Sequence, residues 1–285
     1  MGDINKIDQN GRVQREQLAR RIREIPTLPA VVQHLFTLIN KPHSTAAQLE
    51  EVIKNDQSLS AKILAAANSA FYGFSQKITT IQRAVIALGL QEVRQLALKV
   101  SLIINLKPKA TLPGLDFSQL WLHALATAKA AHILSKHFHG INPDLSYVAG
   151  LMHDLGKVLF YTHFLEDLQG ILALKEKYGF LWPDAEAAYG LYHSELGGWV
   201  GEAWGLPPDI IGPIRHHHHP QRTSPHFLNE AIICLADNLA NLAGFKFMTA
   251  EPCLLNTAIV GQLNLTSKDM EAVWKIFMQK TPLSS

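Results

Sequence analysis

The chain has 285 residues, 47% of them apolar and 18% charged, with a formal net charge of +2. That mixture is globular, not disordered or collagen-like, and a chain of this length buries about 75% of the surface its unfolded form exposes, so it needs no disulfide staples. The near-neutral balance argues against a phosphate-backbone binder, which carries a basic excess.

Helical punctuation recurs along the chain. Thr45 and Gln48 form a capping-box pattern ahead of Leu49, Val52 and Ile53. An alanine-rich helix is predicted over Ser58–Ala70. Thr80 caps a helix over Ile81–Leu88, with Gly89 suited to its end. Gln91–Asn105 carries Val93, Leu96, Ala97, Val100 and Ile104 at helical spacing. Asp116 opens a helix reaching about Lys136, Asp144 opens the next, and Asp184, Pro208 and Pro225 stand near further starts. Runs of strict period two are absent, so the fold class is all-α. The segment Lys107–Asp116 holds two prolines and a glycine between two periodic helices. It sets the expected division into an N-terminal helical subdomain, 12–106, and a C-terminal helical bundle, 116–280.

No apolar run reaches the ~18 residues a membrane span needs. Met1–Arg23 is polar and has no apolar h-region. The expectation is a cytoplasmic protein with no membrane contact. Cys234 and Cys253 are not in a CxxC pair, which excludes a disulfide framework and a thiolate zinc site. Residues 45–105 could pass for a helix-turn-helix. From Thr80 to Val100, however, the cations are only Arg83, Arg94 and Lys99, too few for a base-reading helix, so no DNA partner is expected.

Histidine is the unusual residue, 14 of 285, and it is the commonest metal ligand. The central motif is Gly150-Leu-Met-His153-Asp154-Leu-Gly156-Lys157. On a helix, His153 and Asp154 diverge by about 100°, so a metal between those directions can take a ligand from each. Lys157 follows on the same face, where it could meet an anionic oxygen. For the pair alone, a buried His–Asp hydrogen bond at a helix end is the better reading. Around it stand His123 on an amphipathic helix, His193 at a helix start, and His217 and His218 within an internal run of four histidines. Asp237 lies in the apolar run Ile232–Ala240, where a carboxylate is costly unless paired or metal-bound. His34, His43, His132, His137, His139, His163 and His226 read as ordinary solvated residues, and Trp121, Trp199 and Trp204 as core or subdomain contacts. Gly150–Val158 has the wrong spacing for a P-loop and lacks its hydroxyl.

The ordered set resembles the HD superfamily of metal-dependent phosphohydrolases. The whole chain is similar to HDOD proteins, bacterial signalling relatives of the HD-GYP phosphodiesterases. The N-terminal likeness rests on Ile25-Pro-Thr-Leu-Pro29, Ile53-Lys-Asn-Asp56, Ala67-Asn-Ser69 with Tyr72-Gly73, and Ile81–Gly89. The C-terminal likeness rests on Trp121, Gly150–Lys157, His193–Gly197, Trp204-Gly-Leu-Pro207 and His217-His218. The resemblance implies metal ligands at His123, His153, Asp154, His193, His217, His218 and Asp237, with Lys157 and Asp154 as the residues closest to catalysis. HDOD domains are commonly described as having lost catalytic residues, so this full set is a departure from that pattern. The chain departs from HD-GYP too. After His218 it reads His219-Pro-Gln-Arg222-Thr-Ser-Pro225, without Asp-Gly or Gly-Tyr-Pro, and Arg222 is the one residue there that could touch a phosphate. Gln119 stands where trinuclear relatives have a glutamate, which argues against a third ion. Five imidazoles and two carboxylates suit two transition-metal ions, iron, manganese or zinc. Two such ions ~3.5–4 Å apart can clamp a phosphate, and Asp154, with two oxygens, is the natural bridge. The expected role is regulatory, with a protein partner or nucleotide ligand; the alternative is a metal-dependent phosphohydrolase or phosphodiesterase acting on a nucleotide-like substrate.

Overall fold

The computed structural model describes residues 18, 20–41, 44–69, 72–74, 76–107, 115–247 and 254–280. Cys253 and His43 lie outside them. The regular elements among the described residues are all helices: α1 (Ala30–Asn40), α2 (Ala46–Lys54), α3 (Gln57–Ala67), α4 (Ile81–Leu88), α5 (Leu90–Asn105), α6 (Phe117–Ser135), α7 (Pro143–Met152), α8 (Leu155–His163), α9 (Leu165–Tyr178), α10 (Trp182–Tyr189), α11 (His193–Ala203), α12 (Pro208–His216), α13 (Phe227–Leu242), α14 (Thr257–Gln262) and α15 (Ser267–Lys280). Among the described residues, no helix is long and apolar enough to cross a membrane.

Most boundaries follow from the caps. Thr45 and Gln48 form the reciprocal capping box at α2, Thr80 accepts from the Arg83 amide at α4, and Asp116 accepts from the Ser118 amide at α6. Gly89, at φ 90°, ends α4 in a conformation that is strained for any residue with a Cβ, and α5 starts directly after it. Two boundaries differ from the sequence reading. Asn142, not Asp144, caps α7, because Pro143 takes the first helical position, where no amide hydrogen is needed. Helix α3 opens at Gln57, capped by Asp56, and stops at Ala67 instead of Ala70. Asn68 then clamps the returning chain: its side-chain amide donates to the Leu64 and Ile78 carbonyls, both at 2.7 Å, and its oxygen accepts from the Ile78 amide at 2.7 Å.

One cluster of buried side chains runs from Ile25 through α1–α9 to Ile214, so the N-terminal helices share a core with those that carry the HD motif. A second cluster joins α6 and α13 to α14 and α15. Of the division expected at Lys107–Asp116, residues 108–114 lie outside the described set. The N-terminal segment is tied to the other half by named contacts. Arg21 Nη2 lies 2.5 Å from Asp167 Oδ2, its guanidinium sits over the Phe164 ring, and Trp204 Nε1–H donates to the Pro26 carbonyl at 3.0 Å. Two of the motifs behind the family resemblance, Ile25–Pro29 and Trp204–Pro207, therefore meet in space.

Helices α8 and α11 cross at unusually short range. A Cβ on Gly156 would lie 1.8 Å from the His193 carbonyl oxygen, and one on Gly197 would lie 2.9 Å from the Gly156 nitrogen. Glycine at 156 is thus a steric requirement, and it brings Asp154 and Lys157 against His193.

Candidate metal centre

His153 and Asp154 are not within one helix, as the simplest reading of the dipeptide has it. His153 is the C-cap of α7 and Asp154 the N-cap of α8, with Asp154 at φ −95°, ψ 22°. The break sets the carboxylate across the gap between two histidine groups. Asp154 Oδ2 lies 3.4 Å from His153 Nε2, 3.6 Å from His123 Nε2 and 2.9 Å from Lys157 Nζ. Its Oδ1 lies 3.3 Å from His193 Nε2 and 3.7 Å from His217 Nε2. Asp237, reaching in from α13, puts Oδ1 3.0 Å from His123 Nε2 and 3.9 Å from His153 Nε2. His218, at the exposed rim, brings Nε2 to 3.1 Å from His193 Nε2. All seven residues proposed as ligands from the sequence, with Lys157, fall in this cluster. Arg222 does not: it is exposed and makes no hydrogen bond or ion pair with the cluster. Gln119 is likewise exposed on α6.

The rings are held from behind. His123 Nδ1–H donates to the Phe245 carbonyl at 2.8 Å, His153 Nδ1–H to that of Gly150 at 2.8 Å, and His217 Nδ1–H to those of Pro213 and Ile214 at 3.1 Å. His193 Nδ1–H donates to Glu186, with both carboxylate oxygens at 2.8 Å, and the His193 backbone amide also donates to Glu186 Oε1 at 3.0 Å. A carbonyl or carboxylate can only accept, so Nδ1 carries a proton and each of these rings turns its Nε2 inward, where a neutral ring offers a lone pair. These lone pairs then face one another, His123 to His153 at 3.2 Å and His193 to His217 at 3.5 Å. That arrangement repels unless a proton or a metal ion lies between. Asp154 Oδ1 points into the same space, fully buried beside the Nε2 atoms of His193 and His217, where a proton or a cation held between them would satisfy it. The donor set therefore fits transition-metal ions. It divides into His123, His153 and Asp154 on one side and His193, His217 and His218 on the other. Backing by a carboxylate or carbonyl, seen here for His123, His153, His193 and His217, is the usual support of a metal-binding imidazole.

The electrostatics divide the rings into those that hold a proton well and those that do not. Burial opposes protonation of His123 and His193, but Asp237 and Glu186 respectively outweigh it and raise both. Burial, reinforced by His218 and His153, holds His217 well below its ordinary range, and burial with His193 lowers His218 to about 3. Asp154 resists its own burial through His153 and Lys157 and stays well below the usual carboxylate range. Burial works against the charge on Lys157, yet Asp154 and Asp237 raise its pKa.

Glu186 is the functional residue that sequence reasoning missed. It is 1% exposed on α10, seven residues before His193. Glu230, also buried, is a second: it accepts from the Gln221 amide at 3.1 Å and the Ser224 hydroxyl at 2.7 Å, fixing the segment after His218. Of the histidines read as ordinary, His34, His137 and His139 are exposed, and His132, His163 and His226 make local contacts with Pro143, Thr162 and Asp209.

The HDOD domain family matches residues 25–220. A 207-residue stretch is 29% identical to an uncharacterized protein of Treponema pallidum (strain Nichols); the match covers 71% of this chain, which spans 39% of that relative's length. Among solved structures, an HDOD domain protein of unknown function from Geobacter sulfurreducens superposes with a TM-score of 0.71 at 23% identity, covering 94% of this chain and 99% of that one. A candidate signal transduction protein from Marinobacter aquaeolei VT8 gives 0.74 at 22% identity, covering 95% and 63%. A candidate phosphohydrolase from Shewanella amazonensis SB2B gives 0.64 at 22% identity, covering 93% and 98%. At these identities the likeness is one of fold.

Proposed function

The chain belongs to the HDOD family of the HD superfamily, and on that premise we propose that it is a regulatory protein of bacterial signal transduction that has kept a two-metal HD site. The observation that carries this reading is the convergence of the Nε2 atoms of His123, His153, His193 and His217 on the two oxygens of the buried Asp154 carboxylate. His123, His153 and Asp237 would hold one ion, His193, His217 and His218 the other, and Asp154 would serve both with one oxygen each. Iron, manganese or zinc suits this donor set. The protein would work in the cytoplasm, and its partner would be a regulatory protein or a nucleotide ligand. The shared core and the Arg21 and Trp204 contacts support a signal passing between the site and the N-terminal helices. Elemental analysis of untagged protein, reconstituted with each metal in turn, tests the site. Two equivalents per chain are expected, and less than about half an equivalent with every metal overturns the reading.

A second reading, a phosphohydrolase or phosphodiesterase acting on a nucleotide-like substrate, is favoured by Lys157. Its ammonium is held charged 2.9 Å from Asp154, where it could meet a phosphoryl oxygen and stabilise charge developing there. Bound metal ions would supply Lewis acidity and a hydroxide at neutral pH. The chain's own contribution is to fix the ligands, with Glu186 locking His193, and to shield Asp154 from water. A panel of nucleotide phosphodiesters and monophosphoesters tests this reading. Turnover that falls with Lys157→Met while metal content holds supports it, and no turnover by the two-metal form of the protein removes it.

A further inference from the structure

A cavity of about 240 Å³ lies between the N-terminal helices and the bundle that carries the His/Asp cluster. Ser69 and Tyr72 line it from the end of α3, Glu92, Leu96 and Lys99 from α5, Leu122, Leu125 and Lys129 from α6, Tyr147 from α7, and Phe245 closes it. It continues into a wider groove of about 530 Å³ that shares Tyr72, Glu92, Gln95, Lys129 and Tyr147. None of the cluster residues lines either space.

The chemistry of the lining is lopsided. Lys99 and Lys129 are both half-buried, and the carboxylate in the lining is that of Glu92, which also accepts the Tyr72 hydroxyl at 2.7 Å. Two lysines and one glutamate thus line the same partly desolvated space. Burial lowers the pKa of both lysines and Glu92 opposes the fall; for Lys129, the charge on Lys99 adds to it. An anion entering beside them would relieve that repulsion. The other walls, Leu96, Leu122, Leu125 and the rings of Tyr147 and Phe245, offer an apolar surface for the rest of such a molecule. Few convergent polar groups on an apolar wall between two parts of a fold is the usual character of a small-molecule site.

We propose that this cavity binds a small organic anion, its charged group on Lys99 and Lys129 and its apolar body against Leu96, Leu122 and Phe245, at a site separate from the His/Asp cluster. Phe245 gives the site a route to that cluster. The residue lines the cavity, and its carbonyl oxygen is the acceptor that orients His123.

The test uses the full chain stripped of metal by chelation and phenylphosphonate as probe, a dianion with an apolar ring and no hydrolysable ester. Calorimetric titration is expected to show one saturable site per chain. Lys99→Gln/Lys129→Gln is expected to weaken it at least tenfold, and Asp154→Ala to keep one saturable site per chain. Glu92→Gln, which keeps an acceptor for Tyr72 but removes the competing charge, is expected to tighten it several-fold, an effect that loss of packing does not produce. Benzylamine, a ring with the opposite charge, is expected not to bind. If the double variant fails to fold by circular dichroism, the single variants take its place, each expected to weaken binding at least threefold. No saturable binding, equal affinity in the lysine variants, or loss of binding in Asp154→Ala overturns the proposal. Because the protein is metal-free throughout, these outcomes are independent of whether the cluster holds two ions.

Discussion

Glu186 offers the sharpest test of how the site is built, because its two contacts with His193 separate charge from shape. Glu186→Gln keeps a carbonyl oxygen able to accept from both His193 Nδ1–H at 2.8 Å and the His193 amide at 3.0 Å. What it removes is the negative charge that makes the imidazole a stronger ligand and raises its affinity for a proton. Loss of such support costs 10–100-fold in metal affinity, and a substitution that preserves the hydrogen bonds belongs at the low end, about tenfold or ~1.4 kcal/mol. Glu186→Ala removes the acceptor altogether. Metal affinity should then fall about a hundredfold. The metal-free fold should also lose stability, since two buried donors of His193 are left without a partner at about 1–3 kcal/mol each. The assay is competition for metal with a chromogenic chelator, alongside thermal unfolding of the metal-free proteins. Glu195→Gln, an exposed carboxylate on the first turn of the same helix, is the control and should change neither. Native affinity in Glu186→Gln, or equal affinity in the Gln and Ala variants, would refute the argument that this carboxylate tunes and orients His193.

Asp154→Ala should abolish metal binding yet leave the helical circular dichroism signal largely intact, since both buried clusters are apolar and do not include it; stoichiometric metal in the variant would count against a bridging role. Gly156→Ala should lower the melting temperature and the metal content together, because its Cβ would fall 1.8 Å from the His193 carbonyl oxygen and must push α8 off α11; unchanged values would mean the crossing is looser than the structure has it. Burial, with Asp237 nearby, pushes the Cys234 thiol up to about 12, so about one thiol in 10⁴ is ionised at pH 8 and alkylation of its peptide by iodoacetamide should be very slow until the chain unfolds. Cyclic di-GMP should not be turned over faster than ~1 s⁻¹ by metal-loaded protein. The segment after His218 lacks the Asp-Gly and Gly-Tyr-Pro elements of the HD-GYP enzymes and is pinned by Glu230; release of linear dinucleotide at that rate would show those elements are dispensable.

Much of the fold was legible because helix ends are written in side-chain chemistry. Thr45, Thr80 and Asp116 each offer an oxygen to an amide that has no partner within the helix, and Gly89 takes a positive φ. Where the sequence reading slipped, the deciding interaction lay far along the chain or was spread over several residues. Nothing in Ala67-Asn68-Ser69 announces that Asn68 will clamp Ile78, ten residues on, and so end α3 early. The break between His153 and Asp154 is less visible still. No glycine or proline stands between Met152 and Leu155, and the turn exists because tertiary packing sets Asp154 across the gap between two histidine groups.

The site divides along the same line, and the division has a physical cause. The candidate ligands are legible because metal chemistry restricts residue type: an imidazole or a carboxylate suits it, so His123, His193 or Asp237 in an apolar helix is conspicuous. The groups that aim those ligands are not restricted in this way. Three of the rings are held by the carbonyls of Phe245, Gly150, Pro213 and Ile214. Every residue owns a carbonyl, so side-chain identity at those positions carries no signal of the role. Glu186 does the same task with a side chain, yet along the sequence it is one acidic residue on a short helix that also carries Asp184, with a turn between it and His193. Its role rests on the return of that turn, which brings both its oxygens to 2.8 Å from His193 Nδ1. What a sequence of this kind exposes is which atoms could hold a metal. The orientation that lets them do so, Nδ1–H outward and Nε2 inward, is set by main-chain carbonyls and by Glu186, and appears only once the helices are packed.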